Sequence, residues 1–148
     1  MIQAVYIFNN QGKARLIEDY RNLDVQKSQE FLKETYNLIK TRKDNQCNFI
    51  EGSKLLGGSN TKIIYRHYAT LYFVFVVDSS ESELGILDLI QVLVESLDKC
   101  FENVCELDIV FKCDQVHYIL NEIISGGMVL ETRYGEVVYA YNEQAKIK

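Results

Sequence analysis

Apolar positions in the first twenty residues crowd into two runs separated by turn chemistry. Ile2 to Phe8 is apolar at nearly every position, Asn9-Asn10-Gln11-Gly12 favours a tight reversal, and Ala14 to Tyr20 returns with Arg15 and Glu18 among its polar members. The pattern predicts a β-hairpin. From Asp24, a residue suited to an N-cap, the spacing lengthens to three and four: Phe31/Leu32, Thr35 and Leu38/Ile39 make one stripe, with Lys27, Glu30, Lys33 and Glu34 turned away from it. That predicts a surface helix running to about Arg42 with one buried side.

Asn48-Phe49-Ile50-Glu51 reads as a short strand, Gly52 to Asn60 as a glycine-bearing loop, and Lys62 to Tyr68 and Leu71 to Val77 as two further strands. Apart from a tyrosine hydroxyl, Leu71 to Val77 has no polar side chain, so both its faces need cover, as for a central strand with helices on either side. Ser80-Glu81-Ser82-Glu83 has the spacing of a capping box. In the helix that follows, 83–101, the polar residues Asp88, Gln91, Glu95 and Asp98 lie in one narrow stripe, continued by Glu102, and apolar side chains cover most of the circumference. Such a helix needs burial on two sides: its own sheet, and either another helix of the chain or a different protein. Asn103 to Phe111 reads as a short connection and Cys113 to Ile124 as a helix closed by Gly126-Gly127, where Gly127 suits a C-terminal turn. After Met128-Val129-Leu130 comes a polar tail with, at most, a weak last helix. The order β-β-α-β-β-β-α-α predicts an α+β fold over residues 1–148, a five-stranded, mostly antiparallel sheet with helices on both faces.

Composition narrows the function classes. The 148 residues carry 16 Lys plus Arg against 21 Asp plus Glu, a net charge of −5, which argues against nucleic acid as a partner because phosphate binding needs a basic face. No apolar run reaches the length of a membrane span; Leu71 to Val77 stops at Asp78. The N-terminal apolar run is strand-length and lacks a basic n-region, and residue 2 is Ile, so neither a signal peptide nor myristoylation is expected. Cys47, Cys100, Cys105 and Cys113 form no CxxC pair, which predicts reduced thiols and a cytoplasmic chain. Membrane association is then expected only through a partner or a surface contact.

Candidate chemistry is thin. Cys113 and His117 lie four apart on a predicted helix, but His67 is the only other histidine, so a zinc site lacks ligands. Any cysteine can be drawn with either histidine as a dyad, yet no local nucleophile signature supports one. Glu81/Glu83 and Glu106/Asp108 sit at helix starts, where the macrodipole and capping account for them, and Lys40-Thr41-Arg42-Lys43 falls in the last turn of a helix, where cations are favoured. Leu55-Leu56-Gly57-Gly58-Ser59 lacks the Gly-Lys-Ser/Thr ending of a P-loop. No catalytic residue, no metal site, no cofactor and no enzymatic activity are expected.

One stretch is far more specific. Ile63-Ile64-Tyr65-Arg66-His67-Tyr68-Ala69-Thr70-Leu71-Tyr72-Phe73 resembles the signature of the small (sigma) chains of clathrin-associated adaptor complexes, in which two aliphatics, Tyr and a basic residue precede four variable positions and Leu-Tyr-Phe. Gly12-Lys13-Ala14-Arg15-Leu16, Asn48-Phe49-Ile50-Glu51 and the run from Phe101 to Phe111 are similar to the family as well, so the resemblance covers roughly residues 1 to 130. Asp78 to Leu89 and the extra Gly57-Gly58-Ser59 are most like the sigma chain of the third adaptor complex, the endosome-to-lysosome type.

The resemblance implies a longin-like fold and a heterotetramer of two large chains (delta-type and beta-type), a medium (mu) chain and the sigma chain, which packs into the delta-type chain and stabilises it. That would supply the second cover for helix 83–101. It implies a non-enzymatic role in Golgi or endosome to lysosome or vacuole transport, with the membrane reached indirectly through the complex and a small GTPase. It also implies a groove, shared with the large chain, for cargo tails carrying an acidic residue and, four positions on, two leucines. The positions matching its leucine pockets are Ala69, Leu71, Val94, Asn103, Val104, Leu107 and Ile109, and the position matching its basic residue is Arg15. The alternative is a longin-type scaffold of another trafficking assembly, such as coatomer or a tethering complex, without a cargo site; for Leu71, Val94 and Ile109 the competing role is plain core.

Overall fold

A computed structural model describes residues 1–21, 24–42, 49–51, 61–129 and 133–147. Strand β1 (Ile2–Asn9) pairs antiparallel with β2 (Ala14–Asp19) on one side and with β5 (Leu71–Asp78) on the other; β5 pairs with β4 (Thr61–Tyr68), and β4 with β3 (Phe49–Glu51). The sheet order is therefore β2-β1-β5-β4-β3, antiparallel throughout; the sequence pattern predicts five mostly antiparallel strands but not the order in which they pair. The predicted loop Gly52 to Asn60, with its Leu55-Leu56 pair, lies outside the described residues, as do Lys43, Cys47, Asn48 and Leu130.

Burial on both faces of the central strands follows from their unbroken apolarity. On β1, Ile2, Val5 and Ile7 enter one core, while Ala4, Tyr6 and Phe8 enter another. On β5, Leu71, Phe73, Phe75 and Val77 face the first core, and Val74 and Val76 the second. A helix α1 (Val25–Lys40) closes the second core with Phe31, Leu32 and Ile39. Asp24 caps it, its side chain accepting from the Lys27 N–H at 2.7 Å.

Helix α2 (Glu83–Phe101) closes the first core. Its N-cap is Ser82, whose hydroxyl accepts from the Gly85 N–H at 3.2 Å. The capping box expected from Ser80 to Glu83 does not form, because Asp78 at the end of β5 accepts both the backbone N–H and the hydroxyl of Ser80. A short helix α3 (Glu106–Phe111) occupies the stretch expected to be a bare connection. At a turn and a half it buries only Ile109, too little for hydrophobic periodicity to mark it.

Helix α4 (Cys113–Ile123) is followed by a minimal hairpin, β6 (Ile124–Ser125) and β7 (Met128–Val129). Gly126 and Gly127, expected to be a helix C-terminal turn, are instead its two loop residues, with φ of 58° and 88°. Both positive values are what a tight hairpin turn of this twist demands. The Ile2 N–H donates to the Gly127 carbonyl at 3.0 Å, tying this hairpin to the start of β1. A β-carbon on Gly127 would collide with the Ile2 carbonyl oxygen. Gly127→Ala is therefore expected to cost about 2 kcal/mol or more, since the left-handed backbone alone costs an L-residue about 1–2 kcal/mol. A urea midpoint equal to wild type would refute that.

The larger departure is at the C-terminus. The stretch expected to be a polar tail forms helix α5 (Tyr134–Ile147), which packs on α2 and α4. Val137 is 1% exposed within the first core, and the Tyr141 ring meets Phe101 edge-on, with centroids 6.0 Å apart. Tyr141 also donates through its hydroxyl to Gln115 on α4 at 2.8 Å. The second apolar flank of α2, expected to await another polypeptide, is thus roofed largely by α4 and α5 of its own chain. Leu84, 71% exposed at its N-terminal end, is the large apolar side chain α2 leaves to solvent.

Candidate functional site

Two turns and one corner bring the candidate residues into the same part of the fold. The β1–β2 turn presents Arg15 at the start of β2, the β4–β5 turn contains Ala69 and Thr70, and the α2–α3 corner contains Asn103 and Val104 before Leu107 on α3. Ala69 has φ 55°, and Glu102 and Asn103, which make the corner, have φ 51° and 76°. Non-glycine residues hold this left-handed backbone only where surrounding structure compels it.

Asp98 supplies that compulsion. One carboxylate oxygen accepts the Tyr68 hydroxyl at 2.7 Å, beside Ala69, and the other accepts the Val104 N–H at 2.9 Å. The Asp98 carbonyl accepts the Asn103 N–H at 3.0 Å. A single side chain on α2 therefore ties the β4–β5 turn to the α2–α3 corner. The sequence signalled Asp98 only as one member of a polar stripe, because its bond to Tyr68 spans 30 residues and its bond to Val104 depends on the left-handed corner between them.

The eight candidate positions divide by exposure. Leu71, Val94, Val104 and Ile109 are 1%, 3%, 6% and 0% exposed and belong to the first core. Ala69, Asn103 and Leu107 lie at the surface, Leu107 with 63% of its area exposed. Arg15 is half-buried. A groove of about 390 Å³ gathers Arg15, Thr70 and Leu107 with Asn9, Asn10, Gln11, Glu106 and Val110. Asn103 opens instead into a neighbouring recess with Glu95, Asp98 and Lys99. With Leu107 and Val110 in the groove and Phe111 79% exposed beside them, α3 displays an apolar surface at its rim.

Charge in the groove is already partly satisfied. Arg15 donates through Nε to Glu106 Oε1 at 2.7 Å, and Asn9 donates through Nδ2 to the same oxygen at 2.9 Å. Asn9 is itself fixed, its side-chain oxygen accepting the N–H groups of Gln11 and Lys13, each at 2.9 Å. The Arg15 guanidinium, then the Asn9 amide, hold the Glu106 carboxyl below the usual carboxylate range, with Lys13 adding to the effect. Glu106, assigned from sequence to a helix start, is thus an acid within the groove, and 91 residues separate it from Arg15.

The two histidines considered for metal or nucleophilic chemistry are engaged elsewhere. His117 pairs through Nδ1 with Glu18 at 2.9 Å, and His67 stacks on Tyr72 with centroids 4.3 Å apart. Burial pushes the Cys100 thiol up to about 11, which keeps it protonated near neutral pH. Among the described residues, no three His, Cys, Asp or Glu side chains are grouped to hold a metal ion, and no helix is long and apolar enough to cross a membrane.

Comparison with known proteins places this geometry in context. The family model for the clathrin adaptor complex small chain matches residues 1–147. The human AP-3 complex subunit sigma-2 is 60% identical over 148 residues, covering the whole of this chain and 77% of the relative. The AP-3 complex subunit sigma of Schizosaccharomyces pombe is 58% identical over 144 residues, 97% of this chain and 86% of the relative. A chain in a homology model of the full-length AP-3 complex in a stretched open conformation superposes with a TM-score of 0.78 at 41% identity, covering 99% of this chain and 95% of that one.

Proposed function

The chain belongs to the clathrin adaptor complex small chain family, and from that premise we propose that it serves as the sigma subunit of an AP-3-type adaptor complex. It is a non-enzymatic adaptor subunit with a longin-like α+β fold. The observation that carries the proposal is the 60% identity to an AP-3 sigma subunit across the full chain. In the proposed role the chain packs against a delta-type large chain and stabilises it, within a heterotetramer completed by a beta-type large chain and a mu chain. The complex, recruited by a small GTPase, works peripherally on Golgi and endosomal membranes and moves cargo towards the lysosome or vacuole.

Co-expression tests the assembly. The chain is expected to co-elute in equal amounts with a delta-type large chain. Elution apart from that chain, with a coatomer or tethering-complex subunit retained instead, would replace this role with that of a scaffold lacking a cargo site.

The proposed ligand is a cargo tail bearing an acidic residue followed, four positions on, by two leucines. Support comes from the groove itself, which sets an arginine beside an exposed leucine and the apolar rim of α3. Each leucine side chain fully buried from water contributes about 1.5–3 kcal/mol, and ordering an extended peptide offsets much of it, so binding is weak and reversible. Leu107→Asp changes an exposed position and leaves the core intact. In the assembled complex it is expected to weaken binding of such a peptide about tenfold or more, measured by fluorescence anisotropy. Undiminished affinity removes residue 107 from the ligand contact.

A further inference from the structure

Glu106 makes no contribution to the apolar part of the groove, yet it is held there by two donors, one of them an amide locked into the β1–β2 turn. Its carboxylate accepts from Arg15 Nε at 2.7 Å and so sits on the guanidinium that the acid of the proposed ligand would meet. Both side chains remain about a quarter accessible, so solvent reaches the pair and the pair can exchange. Arg15 and Lys13 bring two positive charges to this end of the groove, and Glu106 cancels one of them.

We propose that Glu106 acts as an internal competitor for Arg15 and thereby sets how strongly the groove discriminates an acidic residue in its ligand from an uncharged one. The inference rests on the peptide-binding role proposed above and adds a residue that determines its specificity. An acid arriving at Arg15 either displaces the Glu106 carboxylate or sits beside it, and both routes cost electrostatic energy that an uncharged residue does not meet. The groove therefore reads the two leucines on nearly full terms and the upstream acid on discounted terms. Selection for the acid is weaker than it would be without Glu106, and the discount fades as salt screens both pairs alike.

Glu106→Gln isolates the charge. The glutamine carbonyl can still accept from Arg15 Nε and Asn9 Nδ2, so the orientation of Arg15 is retained while the competing anion is removed. Two peptides serve as probes, one with glutamate four residues before Leu-Leu and one with glutamine there. Their affinities for the assembled heterotetramer are measured for wild type and variant at low and high ionic strength. The preference for the glutamate peptide is expected to rise about two- to fivefold in the Glu106→Gln complex and to fall back towards the wild-type ratio at high salt.

Glu106→Ala, which removes the same charge without leaving an amide, is expected to shift the ratio in the same direction. A preference that is unchanged or reduced in both variants overturns the competitor role; a reduced one would mean that Glu106 positions Arg15 for the ligand. A wild-type complex that binds neither peptide refutes the peptide-binding role itself, and the competitor role with it. Binding of both peptides with equal ratios in wild type and variants leaves peptide binding standing and sinks the role of Glu106 alone.

Discussion

Val94→Asp is expected to destabilise the folded chain as a whole and not merely to silence a leucine pocket. Val94 is 3% exposed and packs in the core shared by α2, the sheet and α4. A carboxylate there has to be buried without a partner or protonated, and an uncompensated buried charge costs about 3–5 kcal/mol. A folded domain has only about 5–15 kcal/mol of stability in all, so the loss removes a large share of the margin. Circular dichroism of the purified variant should register a melting temperature lower by on the order of 10 °C or more. A variant that melts with wild type would mean Val94 faces an opening in solution, as the floor of a ligand pocket would. For that reason loss of peptide binding in Val94→Asp is no measure of contact, whereas the same loss in Leu107→Asp is.

Removing α5 should have an effect of similar size. Deleting residues 134–148 takes away Val137 from the core and the Tyr141 ring from Phe101. Full burial of a valine-sized side chain contributes about 1.5–3 kcal/mol, and an aromatic pair about 0.5–1.5 kcal/mol more. The truncated chain is thus expected to lose about 3 kcal/mol, to melt some 6–12 °C lower and to bind a dye that reports exposed apolar surface. Full retention of stability would show that the outer flank of α2 is closed without α5. Rescue of the truncated chain by a delta-type large chain, without rescue of Val94→Asp, would show that partner and helix can cover the same flank.

The covered flank changes what the apolarity of α2 can be taken to mean. A helix greasy over most of its circumference requires burial on two sides, and that much was legible. The inference that a second protein supplies the outer side was not sound, because α4 and α5 supply most of it. Family membership rests on the family match over residues 1–147 and the identity to sigma subunits, independent of that argument. α5 was legible as no more than a weak helix because it offers one fully buried valine among glycine, tyrosines and polar residues, a pattern scarcely distinguishable from a solvated segment.

The candidate positions were legible to differing depths. Strand register makes Leu71 inward-facing, since it shares a face with Phe73, Phe75 and Val77 on β5. Val94 on α2 follows in the same way from helical spacing. Asn103 and Ala69 were reachable only through the family resemblance, because a left-handed backbone at an asparagine or an alanine leaves little local mark. Asp98 and Glu106 were visible as charges but without roles: one stabilises a corner, the other meets an arginine 91 positions away.

By itself the sequence determined the elements with a strong period, a sheet of five mostly antiparallel strands, the two-sided burial of β5 and the absence of any local catalytic signature, because each of these depends on side chains near one another along the chain. Only the tertiary structure decided what roofs α2, which candidate positions are core and which open to a groove, and that the arginine in the groove already holds an acid. Periodicity records which face of an element is apolar; it carries no information on what that face meets. The meeting is set by how distant segments pack, and in this protein the packing puts an internal carboxylate on the arginine assigned to the proposed ligand's acid.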